Sequence, residues 1–143
     1  MSRLEITVGP AGGSVTGSDH LALQSAVDYV AARGGGTVRI LPGTYLMRNA
    51  LFLRRGVRVV GSGDATILRK CDAAVTPLTA NIDWYEEFVR VQDPSPFCVG
   101  GGIWIEGLSP FYKGRNQIAK RTVVAIDGDT IHLDRAVRED YWL

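Results

Sequence analysis

Five consecutive residues combine aromatic rings with carboxylates: Asp83, Trp84, Tyr85, Glu86 and Glu87. Aromatic rings pack on the apolar faces of sugar rings, and carboxylates accept hydrogen bonds from sugar hydroxyls or hold calcium. The same residues could equally form a packing plug between two parts of the fold. The sequence therefore offers this loop as a candidate saccharide site and leaves both roles open.

Two arginines in strand-like segments form a second candidate site. Residues 38–40 (Val-Arg-Ile) recur as residues 57–59 (Val-Arg-Val). This recurrence predicts that Arg39 and Arg58 occupy the same outward position on neighbouring parallel strands, about 4.8 Å apart. Guanidinium groups at that distance repel each other unless an anion lies between them, and a uronate-rich polysaccharide would supply one. Solvated arginines, or arginines paired with a neighbouring loop, are the alternative.

The remaining titratable residues have simpler explanations. Asp64 lies in a Gly-Ser-Gly-Asp turn, and Asp127 and Asp129 flank a glycine in a hairpin signal. His20 and His132 have no recognisable Ser or Cys nucleophile pattern around them, so we expect structural roles. The sequence therefore predicts no metal site and leaves the catalytic residues unknown.

The composition excludes two classes of partner. The formal net charge is +1, without the basic excess of a nucleic-acid-binding protein. No stretch approaches the roughly 18 consecutive apolar residues of a membrane span, and the first residues lack a signal-peptide pattern. Cys71 and Cys98 fit neither a disulfide framework nor a zinc site, so we expect free, buried thiols.

One amphipathic helix is predicted over residues 19–33. Ser18 or Asp19 can cap its start, and the glycine run 34–36 can end it. Its apolar stripe recurs at helical spacing and contains Leu23, Ala26, Val27, Val30 and Ala31.

After the helix, the apolar period changes from 3.6 to 2, which is typical of strands. Short strands are predicted over residues 38–40, 44–47, 51–53 and 57–59, and around Ile67. Two segments recur after about 20 residues. One is the Val-Arg-Ile segment described above, and the other is Thr-Tyr-Leu at 44–46, which recurs as Thr-Ile-Leu at 66–68. This spacing suits one coil of a parallel solenoid. The helix can cover the open end of its first coil.

The pattern changes again from Phe88. Residues 88–91, 103–105, 122–126 and 130–133 are typical of antiparallel strands, and Asp-Gly-Asp at 127–129 is a strong hairpin signal. We interpret this part as a small antiparallel β-rich insertion that grows out of the solenoid wall.

The stretch from Gly17 to Lys70 resembles the N-terminal cap and first coils of the pectate-lyase-like superfamily. This group includes polygalacturonases, rhamnogalacturonases, epimerase-like proteins and phage tailspikes. The matching motifs are Asp-x-x-Ala-x-Gln at 19–24, Gly-Gly-Gly-Thr-Val at 34–38, Pro-Gly-Thr-Tyr at 42–45 and Val-x-Gly-x-Gly at 59–63. The start departs from the usual Asp-Asp-Thr. The resemblance covers more than a third of the chain and implies a mainly β fold, a right-handed parallel β-helix with a capping helix.

The resemblance says less about function, because lyases, hydrolases, epimerases and binding proteins share this cap. It implies an extracellular, carbohydrate-active protein, a lyase or hydrolase of acidic, uronate-containing polysaccharide when complete. The alternative is a non-catalytic carbohydrate-binding or structural module, such as a tailspike-like or surface protein. Catalytic groups of such proteins lie on later coils, with calcium in the lyases, so we expect this chain alone to be inactive.

The predicted organisation is a cap with first coils over residues 1–80, and an insertion with a return to the β-helix over residues 81–143. Together they form one incomplete domain. Only the first end of the solenoid has a candidate cap, and Tyr141, Trp142 and Leu143 suit the start of a further coil. We therefore expect a truncated protein that associates with itself through its uncapped end.

Overall fold

The structure, a computed structural model, describes residues 4–143. The chain forms two compact units, one ending at Cys71 and the next beginning at Asp72. Each unit contains a hydrophobic core made of its own residues. Strands dominate, and the described residues contain one α-helix and one short 3₁₀ helix. The predicted mainly β class with a single α-helix is confirmed.

All strand pairs of the first unit are parallel. In chain order its elements are β1 (Leu4–Gly9), β2 (Val15–Thr16), α1 (His20–Ala32), β3 (Gly36–Ile40), β4 (Gly43–Met47), β5 (Val57–Val60), the 3₁₀ helix Gly63–Ala65 and β6 (Thr66–Lys70). One sheet has the order β2-β1-β3-β5, and β4 pairs with β6 in a second sheet. Parallel partners cannot be joined by tight turns, so each return to a sheet needs a long connection.

The motif at the start of α1 has a structural explanation. The Asp19 carboxylate accepts a hydrogen bond from the Ala22 backbone N–H at 2.9 Å and so caps the helix. A Cβ atom on Gly17 would lie 2.5 Å from the Ala22 Cβ, so position 17 needs glycine. The buried stripe packs with β1 and β3, and it contains His20, Leu23, Ala26, Val27 and Val30. The predicted helix is confirmed, and of its predicted apolar stripe only Ala31 is half-buried rather than buried.

Gln24, the last residue of that motif, fixes a distant segment. Its side-chain amide donates to the Phe52 carbonyl at 3.1 Å and accepts from the Phe52 backbone N–H at 2.8 Å. These two bonds use the groups that a neighbouring strand would otherwise use. The strand predicted over residues 51–53 is therefore wrong, because an amide side chain replaces the strand partner.

The parallel register differs from the one that the repeats suggest. Val38 pairs with Val59, which places Arg58 opposite Thr37 and Arg39 opposite Val60. The prediction that the two arginines share one position is wrong. A shift of two residues keeps every side chain on the same face, so alternation alone cannot distinguish the two registers.

The register of the second sheet differs by one residue from the one that the repeats suggest. Tyr45 pairs with Leu68, one residue away from the partner that the Thr-x-Leu recurrence suggests. The parallel pairing itself follows the prediction, with steps of 21 residues from Val38 to Val59 and 23 from Tyr45 to Leu68.

All strand pairs within the sheet of the second unit are antiparallel, as predicted. Its strands are β7 (Phe88–Arg90), β8 (Gly102–Leu108), β9 (Asn116–Asp127) and β10 (Thr130–Leu133), in the order β7-β10-β9-β8. The hairpin between β9 and β10 turns at Gly128 and Asp129, with Asp127 opposite Thr130. The predicted hairpin is confirmed.

Tyr141 lies in the core of this second unit, where 2% of its surface is exposed. It forms an antiparallel bridge with Ile82, in which each backbone N–H donates to the other residue's carbonyl at 2.8 Å. The Tyr141 ring therefore completes this core. Trp142 and Leu143 are exposed.

Candidate functional site

The predicted aromatic and acidic loop forms a tight turn, which we call the aromatic turn (Asp83–Glu86). The Glu86 backbone N–H donates to the Asp83 carbonyl at 3.2 Å, and the Glu86 carboxylate accepts from the Asp83 N–H at 3.0 Å. Tyr85 has a positive φ of 76°, the value expected at the third residue of a type II turn. The turn is therefore closed by two bonds between its first and last residues.

The segment from Val137 to Asp140 holds the aromatic turn. The Tyr85 N–H donates to the Val137 carbonyl at 3.2 Å, and the Val137 N–H donates to the Glu86 carbonyl at 3.0 Å. The Trp84 N–H donates to the Asp140 carboxylate at 2.7 Å. Because Val137 is fully buried, the turn is anchored on the core of its own unit.

The two aromatic rings of the turn face solvent. Trp84 is 49% exposed and Tyr85 is 66% exposed, so neither is buried as a packing plug of this unit would be. Their ring centroids are 5.6 Å apart and the ring planes meet at 68°. The Arg138 guanidinium lies 5.7 Å from the Tyr85 ring centroid, within cation–π distance. The turn therefore presents an angled pair of rings with one cation beside it.

Carboxylates outnumber cations around this ring pair. Asp83 and Glu87 are exposed, and Asp140 binds the backbone of Trp84. The exposed oxygens can accept hydrogen bonds from hydroxyl groups. An anionic ligand would meet repulsion there unless a cation lies between the charges.

The arginine candidates are not brought together in the first unit. Arg39 forms a two-bond ion pair with Glu5, with nitrogen–oxygen distances of 3.0 and 3.2 Å. Hydrogen bonding from Arg39 holds the pKa of the Glu5 carboxyl below its usual value. Arg58 is exposed and forms no ion pair within residues 4–143. The alternative of an arginine paired with a neighbouring residue therefore describes Arg39.

Several other residues singled out from the sequence occupy structural positions. Asp64 lies in the 3₁₀ helix, and His20 is buried beside the Arg48 backbone N–H, which is 3.4 Å from its Nδ1 atom. Cys71 and Cys98 are free but half-buried rather than fully buried. Among residues 4–143, no three His, Cys, Asp or Glu side chains cluster as a metal site. The single α-helix of that range is too short to cross a membrane.

Trp104 is an exposed aromatic residue that the sequence interpretation did not single out. It lies on the outer face of β8, 54% exposed, and its indole N–H donates to the Glu106 carboxylate at 3.1 Å. The Lys120 ammonium lies 4.8 Å from its ring centroid. The signal was available, because Ile103 and Ile105 are core residues and alternation places the residue between them outside.

The tip of the β8–β9 hairpin carries more exposed aromatic surface that the sequence interpretation also missed. The Ser109 hydroxyl accepts hydrogen bonds from the backbone N–H groups of Phe111 and Tyr112, at 3.3 and 3.1 Å. Phe111 also packs edge to face with Trp142, with ring centroids 5.4 Å apart. The Ser-Pro pair at 109–110 is a turn signal that could have located this tip.

Comparisons with known proteins give no family for this chain. No family model matches it, and no curated protein matches it. Three solved phage tailspikes resemble it distantly. Gp54 of Acinetobacter baumannii bacteriophage AP22, solved with A. baumannii capsular saccharide, is 14% identical with a TM-score of 0.44, over 84% of this chain and 22% of that one.

The other two tailspikes are from Pseudomonas phages. Gp61 of phi297 is 16% identical with a TM-score of 0.41, and gp49 of LKA1 is 20% identical with a TM-score of 0.38. Each match covers 85% of this chain and 23% of the tailspike. This chain thus spans less than a quarter of the length of each.

Proposed function

We propose that this chain contributes a saccharide-binding surface to a carbohydrate-active protein, and that the aromatic turn is that surface. The observation that carries the proposal is the exposed, angled ring pair of Trp84 and Tyr85 beside hydrogen-bond-accepting carboxylates. Aromatic faces pack on the C–H groups of sugar rings, while carboxylate oxygens accept hydrogen bonds from sugar hydroxyls. The backbone bonds that anchor the turn reduce the entropy lost on binding.

The charge around the aromatic turn favours a neutral sugar over a uronate. Asp83, Glu87 and Asp140 would repel the carboxylate of a galacturonate, whereas galactose has no such group. Calcium could bridge a uronate to these carboxylates. The aromatic turn should therefore bind a neutral galactan without added metal, and polygalacturonate only when calcium is present.

Affinity electrophoresis of the full chain in gels that contain galactan or polygalacturonate tests this proposal. Trp84→Ala should weaken binding up to about tenfold, since one aromatic contact is worth up to about 1.4 kcal/mol. Trp104→Ala is the matched control, because that tryptophan is exposed to a similar degree outside the turn. If neither polysaccharide retards the parent chain, or if only Trp104→Ala loses binding, the proposed surface is wrong.

The fold that we propose for the first unit is the start of a right-handed parallel β-helix, with α1 as its cap. The parallel pairing and the steps of 21 and 23 residues support it. Within the part of the chain described, β5 and β6 each pair on one side only. Their free edges could recruit another copy of the chain. Sedimentation velocity tests this, because a monomer at all concentrations would exclude self-association.

A second candidate function is that the whole protein cleaves an acidic, uronate-containing polysaccharide, as a lyase or a hydrolase. The exposed Arg58, which forms no ion pair among the described residues, favours it as a carboxylate contact. Elimination also needs a base placed at the same sugar, and among residues 4–143 no Asp or Glu is paired with Arg58. This chain alone should therefore release no unsaturated uronides from polygalacturonate with calcium, as followed by ultraviolet absorbance.

A further inference from the structure

Tyr85 adopts a backbone conformation that its residue type disfavours. Its φ of 76° is the single positive φ of a non-glycine residue among residues 4–143. The third residue of a type II turn is normally glycine or asparagine, because a side chain at positive φ crowds the backbone. A bulky aromatic residue at this position is an outlier that needs a cause.

The surrounding bonds impose this conformation. The Tyr85 N–H is bound to Val137, and the neighbouring peptide groups are bound to Asp83 and Asp140. Tyr85 cannot move to a negative φ without breaking the bonds on either side of it. The same bonds involve backbone groups at position 85, so glycine could make them without the steric cost.

The contacts of the Tyr85 ring do not explain why this position is a tyrosine. The ring is 66% exposed, and it lies beside the Trp84 ring and the Arg138 guanidinium, both at the surface. Exposed aromatic and cation–π contacts stabilise a fold weakly. Stability alone would therefore favour glycine here.

We propose that Tyr85 is a sugar-binding residue whose left-handed backbone holds its ring at an angle to Trp84, so that the two rings form a preformed corner for one sugar unit. This inference rests on the proposed saccharide binding at the aromatic turn. The conformation of Tyr85 lowers the stability of the fold, but it gives the two rings their binding orientation before the ligand arrives. Strain that surrounding structure maintains is typical of ligand-binding positions.

Three substitutions separate the backbone cost from the contribution of the ring. Tyr85→Phe keeps the ring and the strain, Tyr85→Ala keeps the strain without the ring, and Tyr85→Gly removes both. In urea unfolding, Tyr85→Gly should be more stable than Tyr85→Ala, with an unfolding equilibrium constant about threefold to tenfold lower. In galactan affinity electrophoresis, Tyr85→Phe should bind like the parent, and Tyr85→Ala and Tyr85→Gly should bind about tenfold more weakly.

The outcomes distinguish this inference from the proposed function. If the parent binds, Trp84→Ala does not and Tyr85→Gly binds like the parent, the saccharide site stands and the role of Tyr85 is wrong. If Tyr85→Gly is less stable than Tyr85→Ala, the ring is not held against a backbone cost and the inference is overturned. If the parent binds no saccharide, the proposed function fails, and the ligand role of Tyr85 fails with it.

Discussion

The two units of the chain each bury one large tyrosine, and the two hydroxyl groups have different surroundings. In the parallel unit, Tyr45 is fully buried, and the carbonyl oxygens of Val8 and Leu41 lie 3.0 and 2.9 Å from its hydroxyl and share its one proton. In the antiparallel unit, the buried Tyr141 hydroxyl has no hydrogen-bond partner among the described residues. Burial raises the pKa of both phenols. A fold can thus bury a hydroxyl group without giving it a hydrogen-bond partner.

The units also differ in charge. Residues 1–71 contain nine Arg and Lys and four Asp and Glu, a formal charge of +5. Residues 72–143 contain seven and eleven, a formal charge of −4. The formal net charge of +1 is therefore the sum of a basic parallel unit and an acidic antiparallel unit. An anionic polysaccharide would be attracted by the first and repelled by the second.

Val27→Asp should have the largest effect, and it tests whether the two cores unfold independently. Val27 is fully buried on α1, and an unpaired carboxylate there should lower the free energy of unfolding of the first unit by about 3–5 kcal/mol. Hydrogen exchange read by mass spectrometry should show lost protection in β1 and β3 and retained protection in β9. Leu21→Asp on the exposed face of α1 is the control and should change little. Equal loss of protection in both units would mean that the cores are not independent.

Two matched phenylalanine substitutions test how much each buried tyrosine hydroxyl contributes to stability. Tyr45→Phe should destabilise the chain by about 1 kcal/mol, because the carbonyl oxygens of Val8 and Leu41 lose the hydroxyl proton that they share. Tyr141→Phe should be neutral or stabilise by up to about 1 kcal/mol, because it removes a buried hydroxyl without a protein partner. Urea unfolding measures both. A clear loss of stability in Tyr141→Phe would show that its hydroxyl is hydrogen-bonded in solution.

Acid should weaken the parallel unit, with the smallest effect of the three. Hydrogen bonds from Arg39 and Arg54 lower the pKa values of Glu5 and Asp28 below their usual values of 4.5 and 3.8. A lowered pKa in the fold contributes stability that is present above the unfolded value and is lost as pH falls through the folded value. Stability should therefore decline below about pH 4, and less steeply in Arg54→Met, as measured by urea unfolding between pH 5 and pH 3. Because the Arg54–Asp28 pair is exposed, an equal slope in the variant would mean that this pair contributes nothing to the pH dependence.

Local chemistry explains what could be predicted from the sequence. Asp19 with Ala22, and the glycine between Asp127 and Asp129, act over a few residues, so α1 and the β9–β10 hairpin followed from the sequence. The partner of Arg39 could not be predicted, because Glu5 lies 34 residues away and a two-residue register shift leaves the apolar alternation unchanged. The aromatic turn was located by its residue types. The positive φ of Tyr85 could not be inferred, because tyrosine gives no signal for that conformation.

The amide of Gln24 has a consequence for how much each position can vary. It binds the backbone N–H and carbonyl of Phe52, groups that nearly every amino acid has, and Phe52 itself is 46% exposed. Position 52 can therefore change to almost any residue except proline, which lacks the N–H. Position 24 has far less freedom, since asparagine is shorter and glutamate has no N–H to donate. The residue that holds this segment in place thus lies 28 residues before it in the sequence.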